Sequence, residues 1–342
     1  METVMRGKRM GIGRFGRMCC LLCVSGMLVL TAGCQIGRHD IVVSGSISSK
    51  NVFEIDGSAC SRKEAMVYLA NYQNIYGTSY SVDLWQHDFG DDSLEKYVKD
   101  ITIEELAQVI CMDLLAQSQG TTLSEEELAQ VAKASEEYYN SLSEAEISYM
   151  GGVTKGDIEE YYEHYALAQK LYNSLTNGVN GEVSDDEARV IEIMQIYVTS
   201  KDKAAEVSEK LAAGEDFAMV ANNYNELSSI QITVARDDLS QKVEDVAFNL
   251  DNDEISGEIE TDNGYYFIKC LNKYDEELTE ANKSNIVEKR EKEAFYDVYN
   301  AFVAGLSSGI DEEGWQGIEL NTGEEIQTDS FFEVFEKYCS EI

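Results

Sequence analysis

Alternation of apolar and polar side chains between residues 190 and 198 predicts a β-strand at the start of the most regular stretch of the chain. The segment reads Val-Ile-Glu-Ile-Met-Gln-Ile-Tyr-Val, in which alternate side chains share a face. Apolar residues at helical spacing follow in residues 201–211, and Gly214 is placed to end that helix. The pattern therefore predicts a strand followed directly by a helix.

Two more short helices and two more strands are predicted after this pair. Apolar spacing favours helices near residues 217–224 and 243–248. Turn-forming residues at 251–254 and 261–264 precede segments rich in β-branched and aromatic residues. We therefore predict strands at residues 255–260 and 265–271.

Helical patterns dominate the chain before this stretch. Residues 52–75 predict a strand, a turn at Asp56 and Gly57, and a helix with Ser61 as its N-cap. Apolar residues at helical spacing predict further helices over residues 103–119, 124–139 and 155–175.

Two further helical features are visible in the sequence. Ser124 is followed three residues later by Glu127, which predicts a capping box at the start of the 124–139 helix. Residues 279–306 predict one long charged helix whose apolar stripe must be buried against a partner. Residues 311–342 are rich in aromatic side chains, and we expect them to end in a helix.

The first 33 residues have the pattern of an export signal. Five basic residues precede an apolar run at residues 18–30, which is too short to span a membrane comfortably. Leu-Thr-Ala-Gly-Cys then ends at Cys34 and resembles a bacterial lipobox, in which the cysteine is diacylated. Two acyl chains anchor a protein firmly. We therefore predict an extracytoplasmic protein held on the membrane through Cys34.

The strongly acidic composition argues against one class of partner, nucleic acids. The formal net charge is -37, and removal of the predicted signal would make the chain more negative still. A chain of this charge does not bind nucleic acid by neutralising phosphates. We interpret the acidic residues as a solvated surface that keeps an exported protein soluble.

Cysteine and histidine spacing argues against a metal site. Four cysteines follow Cys34, and they are widely spaced, without a Cys-x-x-Cys pair. Buried free thiols are expected for them, although two disulfides remain an alternative in an exported protein. The three histidines stand far apart in the sequence, so no metal ion and no cofactor is predicted.

Three separated blocks, "KLAAGEDFAMVANNY", "VEDVAFNLDNDEISGEI" and "TDNGYYFIK", resemble the parvulin family of peptidyl-prolyl isomerases. The resemblance implies a small antiparallel sheet wrapped by helices, with an X-Pro peptide bound across one face. The Gly-Gly-Asp-Leu-Gly segment of the family is absent between Ser228 and Leu239.

The helical region, with "AQSQGTTLSEEEL" and "GVTKGDIEEYYEHYALAQKLY", resembles the N-terminal chaperone module of the PrsA and SurA foldases. The resemblance implies an α+β protein, a mostly helical chaperone-like domain with an inserted parvulin-like domain. The expected organisation is a signal peptide at 1–33, a tether at 34–51, a helical module at 52–175, a parvulin-like domain at 188–275, and a C-terminal helix and tail at 279–342 that pack back on the module.

The resemblance also implies an apolar proline pocket beside two histidines and a Cys or Asp. Matched residue by residue, Gln195 and Tyr266 stand at the histidine positions, and Leu227 stands near the Cys or Asp position. The peptide-binding positions correspond to Leu239, Val243, Phe248 and Thr261.

Most of these positions differ from the family pattern. A catalyst of prolyl isomerisation must favour the twisted amide, whose barrier is about 18–20 kcal/mol without help. Gln195 and Tyr266 can donate and accept hydrogen bonds, so they either keep a polar network or serve as ordinary sheet packing. Val243 replaces an aromatic wall of the pocket. We therefore expect the catalysis to be weak or lost.

The predicted function is a membrane-tethered, extracytoplasmic foldase or chaperone that binds newly secreted polypeptides. One alternative is an active isomerase of the same architecture. Another is a solute-binding or structural surface lipoprotein. A solute-binding protein would need two α/β lobes, whereas this chain has one small sheet block between helical ends.

Overall fold

The computed structural model describes residues 50–79, 82–85 and 93–342, together with Ser48 and the backbone of Gln35–Ile36 and His39–Asp40. The predicted signal segment, Cys34 and most of the predicted tether lie outside the described residues. The chain divides into a helical unit, Met1–Asn177 with Phe295–Ile342, and a sheet unit, Gly178–Ala294.

Two strands of more than two residues and five helices lie in the described residues of the first part of the helical unit. They are β1 (Asn51–Ile55), β2 (Ser58–Ser61), α1 (Arg62–Gly77), α2 (Leu94–Gln119), α3 (Glu125–Ser141), α4 (Glu144–Tyr149) and α5 (Lys155–Thr176). Two-residue pairings also join Gln35–Ile36 to His39–Asp40 and Thr78–Ser79 to Val82–Asp83.

The remaining elements begin with the sheet unit. They are α6 (Asp185–Ala188), β3 (Ile191–Val198), α7 (Lys201–Ala212), α8 (Phe217–Tyr224), β4 (Gln231–Val234), α9 (Gln241–Ala247), β5 (Ile259–Thr261), β6 (Gly264–Asn272), α10 (Glu276–Val303), β7 (Ser308–Ile310), α11 (Glu312–Gln316) and α12 (Phe331–Cys339). Helix α10 begins in the sheet unit, and its residues from Phe295 onward belong to the helical unit.

A small antiparallel sheet in the order β7-β1-β2 pairs the segment after α10 with the first strands of the helical unit. The sequence predicted a strand, a turn and a helix here, and the structure inserts β2 between the turn and α1. Asp56 and Gly57 both have positive φ, at 47° and 89°, which is what a tight two-residue hairpin turn requires. The chain therefore folds back on β1 before Ser61 begins α1, where its hydroxyl accepts from the Glu64 N–H at 3.1 Å.

Reciprocal caps fix the starts of several helices in this unit. The predicted capping box is confirmed, because the Glu127 N–H donates to Ser124 Oγ at 3.2 Å and the Ser124 N–H donates to Glu127 Oε2 at 2.6 Å. The same arrangement opens α4 at Ser143 and α5 at Thr154. Each cap satisfies N–H groups that have no partner inside the helix.

The sheet unit is built on a four-stranded antiparallel sheet in the order β4-β3-β6-β5. One face packs Ile193 and Ile268 against Val243 of α9. The other face packs side chains such as Ile196 and Phe267 against α7 and α8. The period-two pattern of β3 therefore buries both faces, with different helices on each.

The strand predicted at residues 255–260 is wrong in its bounds. The regular pairing is confined to β5, and Ile255 makes only an isolated bridge with Lys269. Ser256 explains the difference, because its hydroxyl accepts from the Ile268 N–H at 2.9 Å and takes the place of a backbone acceptor in the ladder. A side chain that bonds the backbone in this way competes with regular pairing.

The cysteines in the described residues, Cys60, Cys111, Cys270 and Cys339, are buried free thiols, which agrees with the first of the two expectations for them. None of the helices in the described ranges combines the length and apolar composition needed to cross a bilayer.

Candidate functional site

The two family histidine positions lie on neighbouring strands and on the same face of the sheet. Gln195 of β3 is paired with Ile268 of β6, and Tyr197 is paired with Tyr266. Because alternate residues share a face, Gln195 and Tyr266 are diagonal neighbours. The antiparallel register thus brings together two positions that are 71 residues apart in the sequence.

Gln195 is buried and forms hydrogen bonds within the protein. Its side chain is only 5% exposed, and Nε2 donates to the Ser229 carbonyl oxygen at 3.1 Å. The Gln195 N–H donates to the Ile230 carbonyl oxygen at 2.7 Å. These two bonds hold the segment between α8 and β4 against β3, so the side-chain N–H that forms the first bond is already used within the protein.

Tyr266 lies in an aromatic contact on the same face of the sheet. Its ring centroid is 4.7 Å from that of Tyr197, and Tyr197 Oη donates to the Asn263 carbonyl oxygen at 2.6 Å. Gly264 permits this packing, because a Cβ there would approach the Val198 carbonyl oxygen to 2.6 Å and the Tyr197 ring to 2.8 Å. Thr261 closes the turn, donating from Oγ1 to the Gly264 carbonyl oxygen at 2.8 Å.

The remaining site positions differ in their exposure. Leu227 is 37% exposed and belongs to the segment that Gln195 holds. Asn225 fixes this segment, since its Nδ2 donates to the Leu227 carbonyl oxygen at 3.0 Å. Val243 is buried in the core, and Leu239 packs against that core from a half-buried position. Leu227 and Leu239 are therefore the more accessible apolar side chains among the predicted site positions of the α8–α9 region.

Two arginines that the sequence analysis did not identify lie close to the ring of Phe248. The Arg236 guanidinium carbon is 4.2 Å from the Phe248 ring centroid and the Arg189 carbon is 5.1 Å from it. Arg236 also approaches Glu244 Oε1 at 3.5 Å and Asp186 Oδ1 at 3.2 Å. Phe248 is 4% exposed, so its ring faces guanidinium groups rather than solvent.

Arg236 occupies the segment where the family glycine motif is absent. Asp237, the next residue, has a left-handed backbone with φ of 69°, a conformation that glycine adopts most easily. Its N–H donates to Glu244 Oε2 at 2.7 Å. The absence of the motif between Ser228 and Leu239 was the signal in the sequence that this part of the site would be built differently.

The side chains at the three family catalytic positions include no acid or base that titrates near neutral pH. Partial burial, and then the neighbouring Tyr197, raise the pKa of Tyr266 above its usual value. Gln195 and Leu227 do not ionise. These three side chains therefore offer no group that transfers a proton readily near neutral pH. Within the described part of the chain, no group of three or more His, Cys, Asp or Glu side chains is arranged to hold a metal ion.

Comparison with known proteins gives consistent matches. The family model of the PPIC-type PPIase domain matches residues 153–283. The Foldase protein PrsA of Halalkalibacterium halodurans is 28% identical over 161 residues, covering 41% of this chain and 48% of that protein. The Foldase protein PrsA of Caldanaerobacter subterraneus is 27% identical over 231 residues, covering 58% and 68%.

The chain thus spans about half the length of the first of these relatives and about two thirds of the second. A crystal structure of the peptidylprolyl isomerase PrsA from Bacillus cereus aligns with a TM-score of 0.38 at 19% identity, covering 77% of this chain and 99% of that one.

The matched residues 153–283 include the four-stranded sheet and the helices packed on both its faces. The observed α+β architecture and the PrsA foldases among the sequence relatives agree with this match. Residues 153–283 therefore belong to the PPIC-type PPIase domain family, and the chain as a whole is similar to the PrsA foldases.

Proposed function

We propose that this protein is an extracytoplasmic foldase that binds unfolded, newly secreted polypeptides and is tethered to the membrane by a lipid on Cys34. Its parvulin-like domain has weak or no prolyl isomerase activity and contributes to binding. No cofactor takes part. The foldase assignment draws on the PrsA relatives, and the tether draws on the lipobox-like sequence that ends at Cys34.

One observation supports weakened catalysis above the others. The Gln195 amide is buried and bonded to the Ser229 carbonyl oxygen, so this position serves the fold where an active family member has a histidine. A group acts on a reacting amide only when it lies within hydrogen-bond reach of it. With Gln195 engaged and Val243 in place of an aromatic wall, the twisted X-Pro amide gains little stabilisation.

An exchange assay on an X-Pro peptide tests this proposal. We expect the parent protein to leave the isomerisation rate near its uncatalysed value. The combined variant Gln195→His, Tyr266→His, Val243→Phe should raise the rate by roughly tenfold or more, about 1.4 kcal/mol of barrier. The matched control is Tyr265→His, which changes the adjacent residue on the other face of β6 and should not raise the rate.

Two results would contradict the proposal. Acceleration by the parent protein at the level of an active parvulin would show that catalysis survives without the histidines. Failure of the combined variant to exceed Tyr265→His, with the sheet intact by circular dichroism, would show that the matched positions do not form the site.

A further inference from the structure

The last residues of the chain, 321–342, form a tail that lies in a groove of the helical unit. The groove is lined by side chains of α1, α3, α4 and α5. Helix α12 of the tail packs against α3. Its most buried side chains are Phe331, Phe335 and Cys339, whose spacing is that of one helical face. An amphipathic helix in an apolar groove is a common mode of peptide recognition.

Side chains of the groove bond the main chain of the tail. The Asn321 N–H donates to Tyr149 Oη, and its carbonyl accepts from Gln73. Further main-chain bonds involve Gln327 with Glu146, Thr328 with Asn74, Phe331 with both Asn71 and Tyr162, Cys339 with Gln169, and Ile342 with Asn173. Their lengths lie between 2.7 and 3.1 Å.

Main-chain bonds of this kind do not depend on the side chains of the bound segment. Asn71 accepts from the Phe331 N–H at 3.0 Å, and Tyr162 donates to the Phe331 carbonyl at 2.7 Å. Gln169 donates to the Cys339 carbonyl at 3.0 Å, near the end of α12. A segment of another sequence that entered the groove could form the same bonds, because every residue offers a carbonyl and nearly every residue an N–H.

The apolar contacts between the groove and the tail are mainly between aromatic rings. Tyr162 stacks on Phe331 with centroids 4.4 Å apart, and Tyr165 meets Phe335 edge-on at 4.7 Å. At the rim, Lys337 Nζ lies 2.5 Å from Glu137 Oε2. The groove therefore fits a short segment with aromatic residues three or four positions apart and a basic residue at its edge.

We propose that this groove is a binding site for unfolded polypeptide segments that contain such aromatic residues, and that the tail occupies it in cis as a competitor. The inference rests on the proposed chaperone function and adds the site and its regulation. Clients bind when the tail leaves, so the apparent affinity is lowered by the fraction of molecules in which the groove is closed.

The first test weakens the tail and leaves the walls of the groove unchanged. In the full chain, Phe335→Ala removes one anchor of the tail. The matched control is Phe295→Ala, which removes an equally buried ring of the same unit that packs on Tyr172 and Tyr299. The probe is fluorescent, reduced and carboxymethylated lactalbumin, a permanently unfolded chain. We expect the dissociation constant to fall about tenfold for Phe335→Ala and not to fall for Phe295→Ala.

The second test does not depend on the stability of that variant. The exposed turn at residues 322–325 is replaced by a specific protease site in the full chain, which is then cleaved. A labelled peptide of residues 326–342 should exchange into the nicked protein, and the unfolded lactalbumin should displace it. Loss of cooperative unfolding on release of the tail would instead make the tail a fixed part of the core, and would overturn the proposal.

The other outcomes separate this inference from the function on which it rests. If the parent binds the unfolded chain and Phe335→Ala binds it no more tightly than Phe295→Ala, the groove proposal is overturned and the chaperone function stands. If no form binds it, both are overturned. If Phe335→Ala forms a dimer and does not bind lactalbumin, the groove would be a site for the tail of a second copy. That result would also overturn the proposal.

Discussion

Asp113 is a carboxyl group buried in the core of the helical unit, and its Oδ1 has no hydrogen-bond partner among the described residues. Desolvation raises the pKa of Asp113 to about 8, against the opposing effect of His164. Desolvation alone would lower the pKa of His164, but its hydrogen bond with Glu64 at 3.1 Å and nearby carboxylates raise it to about 9. Near neutral pH, His164 is therefore charged and Asp113 is largely protonated.

We predict that Asp113 makes the helical unit less stable as pH rises from about 4 to about 8. Its folded pKa lies above the unfolded value of 3.8, so folding is favoured below pH 4 and the advantage is lost as pH approaches 8. Asp113→Asn removes this titration. The variant and the parent should differ least at about pH 4, and the variant should become progressively more stable than the parent toward pH 8, by up to about 1.4 kcal/mol per pH unit.

Urea unfolding monitored by tryptophan emission measures the free energy of unfolding of the helical unit. Both tryptophans of the chain, Trp85 and Trp315, belong to the helical unit. The control is Asp297→Asn, which changes an exposed aspartate of the same unit and should show no such pH dependence. If Asp113→Asn were less stable than the parent at pH 8, the carboxyl group would not be held in its protonated form.

Helix starts are the element-scale feature that the sequence predicts best. At the start of α3, Ser124 Oγ accepts from the Glu127 N–H, and Glu127 also accepts from Lys170 of α5 at 2.6 Å. Partial burial would raise the pKa of Glu127, but the bonds from Lys170 and Ser124 lower it overall. One short motif thus begins a helix and joins it to its neighbour.

We expect Ser124→Ala to lower the free energy of unfolding of the helical unit by about 1 kcal/mol, because one N–H at the start of α3 loses its acceptor. Urea unfolding monitored by tryptophan emission measures the change. Ser118→Ala is the matched control, since that exposed hydroxyl bonds back to the Leu115 carbonyl inside α2, where such bonds add little. Equal effects of the two substitutions would contradict the capping argument.

At the scale of the whole molecule, the tether and the division into units each give a prediction. Cys34→Ala should release the protein from the membrane or leave its signal uncleaved, because a diacylated cysteine is the proposed anchor. Fractionation with radiolabelled lipid measures both effects. Continued membrane association of a mature variant, with normal lipid labelling, would refute the lipoprotein assignment.

Replacement of residues 188–275 by a short Gly/Ser linker should leave a folded helical unit. The apolar stripe of α10 after Phe295 packs on Tyr172 of α5 inside that unit, so the core does not depend on the excised sheet. Trp315 is 1% exposed, and its emission should still show one cooperative transition with urea. A gradual transition would show that the helical unit needs the sheet unit to fold.

Much of the fold follows from local sequence. The helices α3, α5 and α7 and the strands β3 and β6 begin and end within a few residues of their predicted limits, because their patterns are long and their caps are local. The short strand β4 was not predicted. It has four residues, of which only Val234 is buried, so no periodic pattern marks it and its pairing with β3 decides its conformation.

The order of the long helices and strands, the capping box at Ser124, and the placement of Ile193, Gln195 and Tyr197 on one sheet face could be inferred from local sequence. Each of these depends on neighbours within a few residues along the chain, or on the fixed alternation of a strand. They can therefore be inferred without knowing which distant segments meet.

Other features depend on contacts between segments that are distant in the sequence. The tertiary structure gave Gln195 its bond to Ser229, placed Arg189 and Arg236 against Phe248, and set Phe331 of the tail among the tyrosines of the helical unit. These contacts join residues between 12 and 263 positions apart in the sequence. They are stabilised by burial of side chains whose partners cannot be identified from the local sequence pattern. Packing of distant segments, rather than propensity, selects such partners.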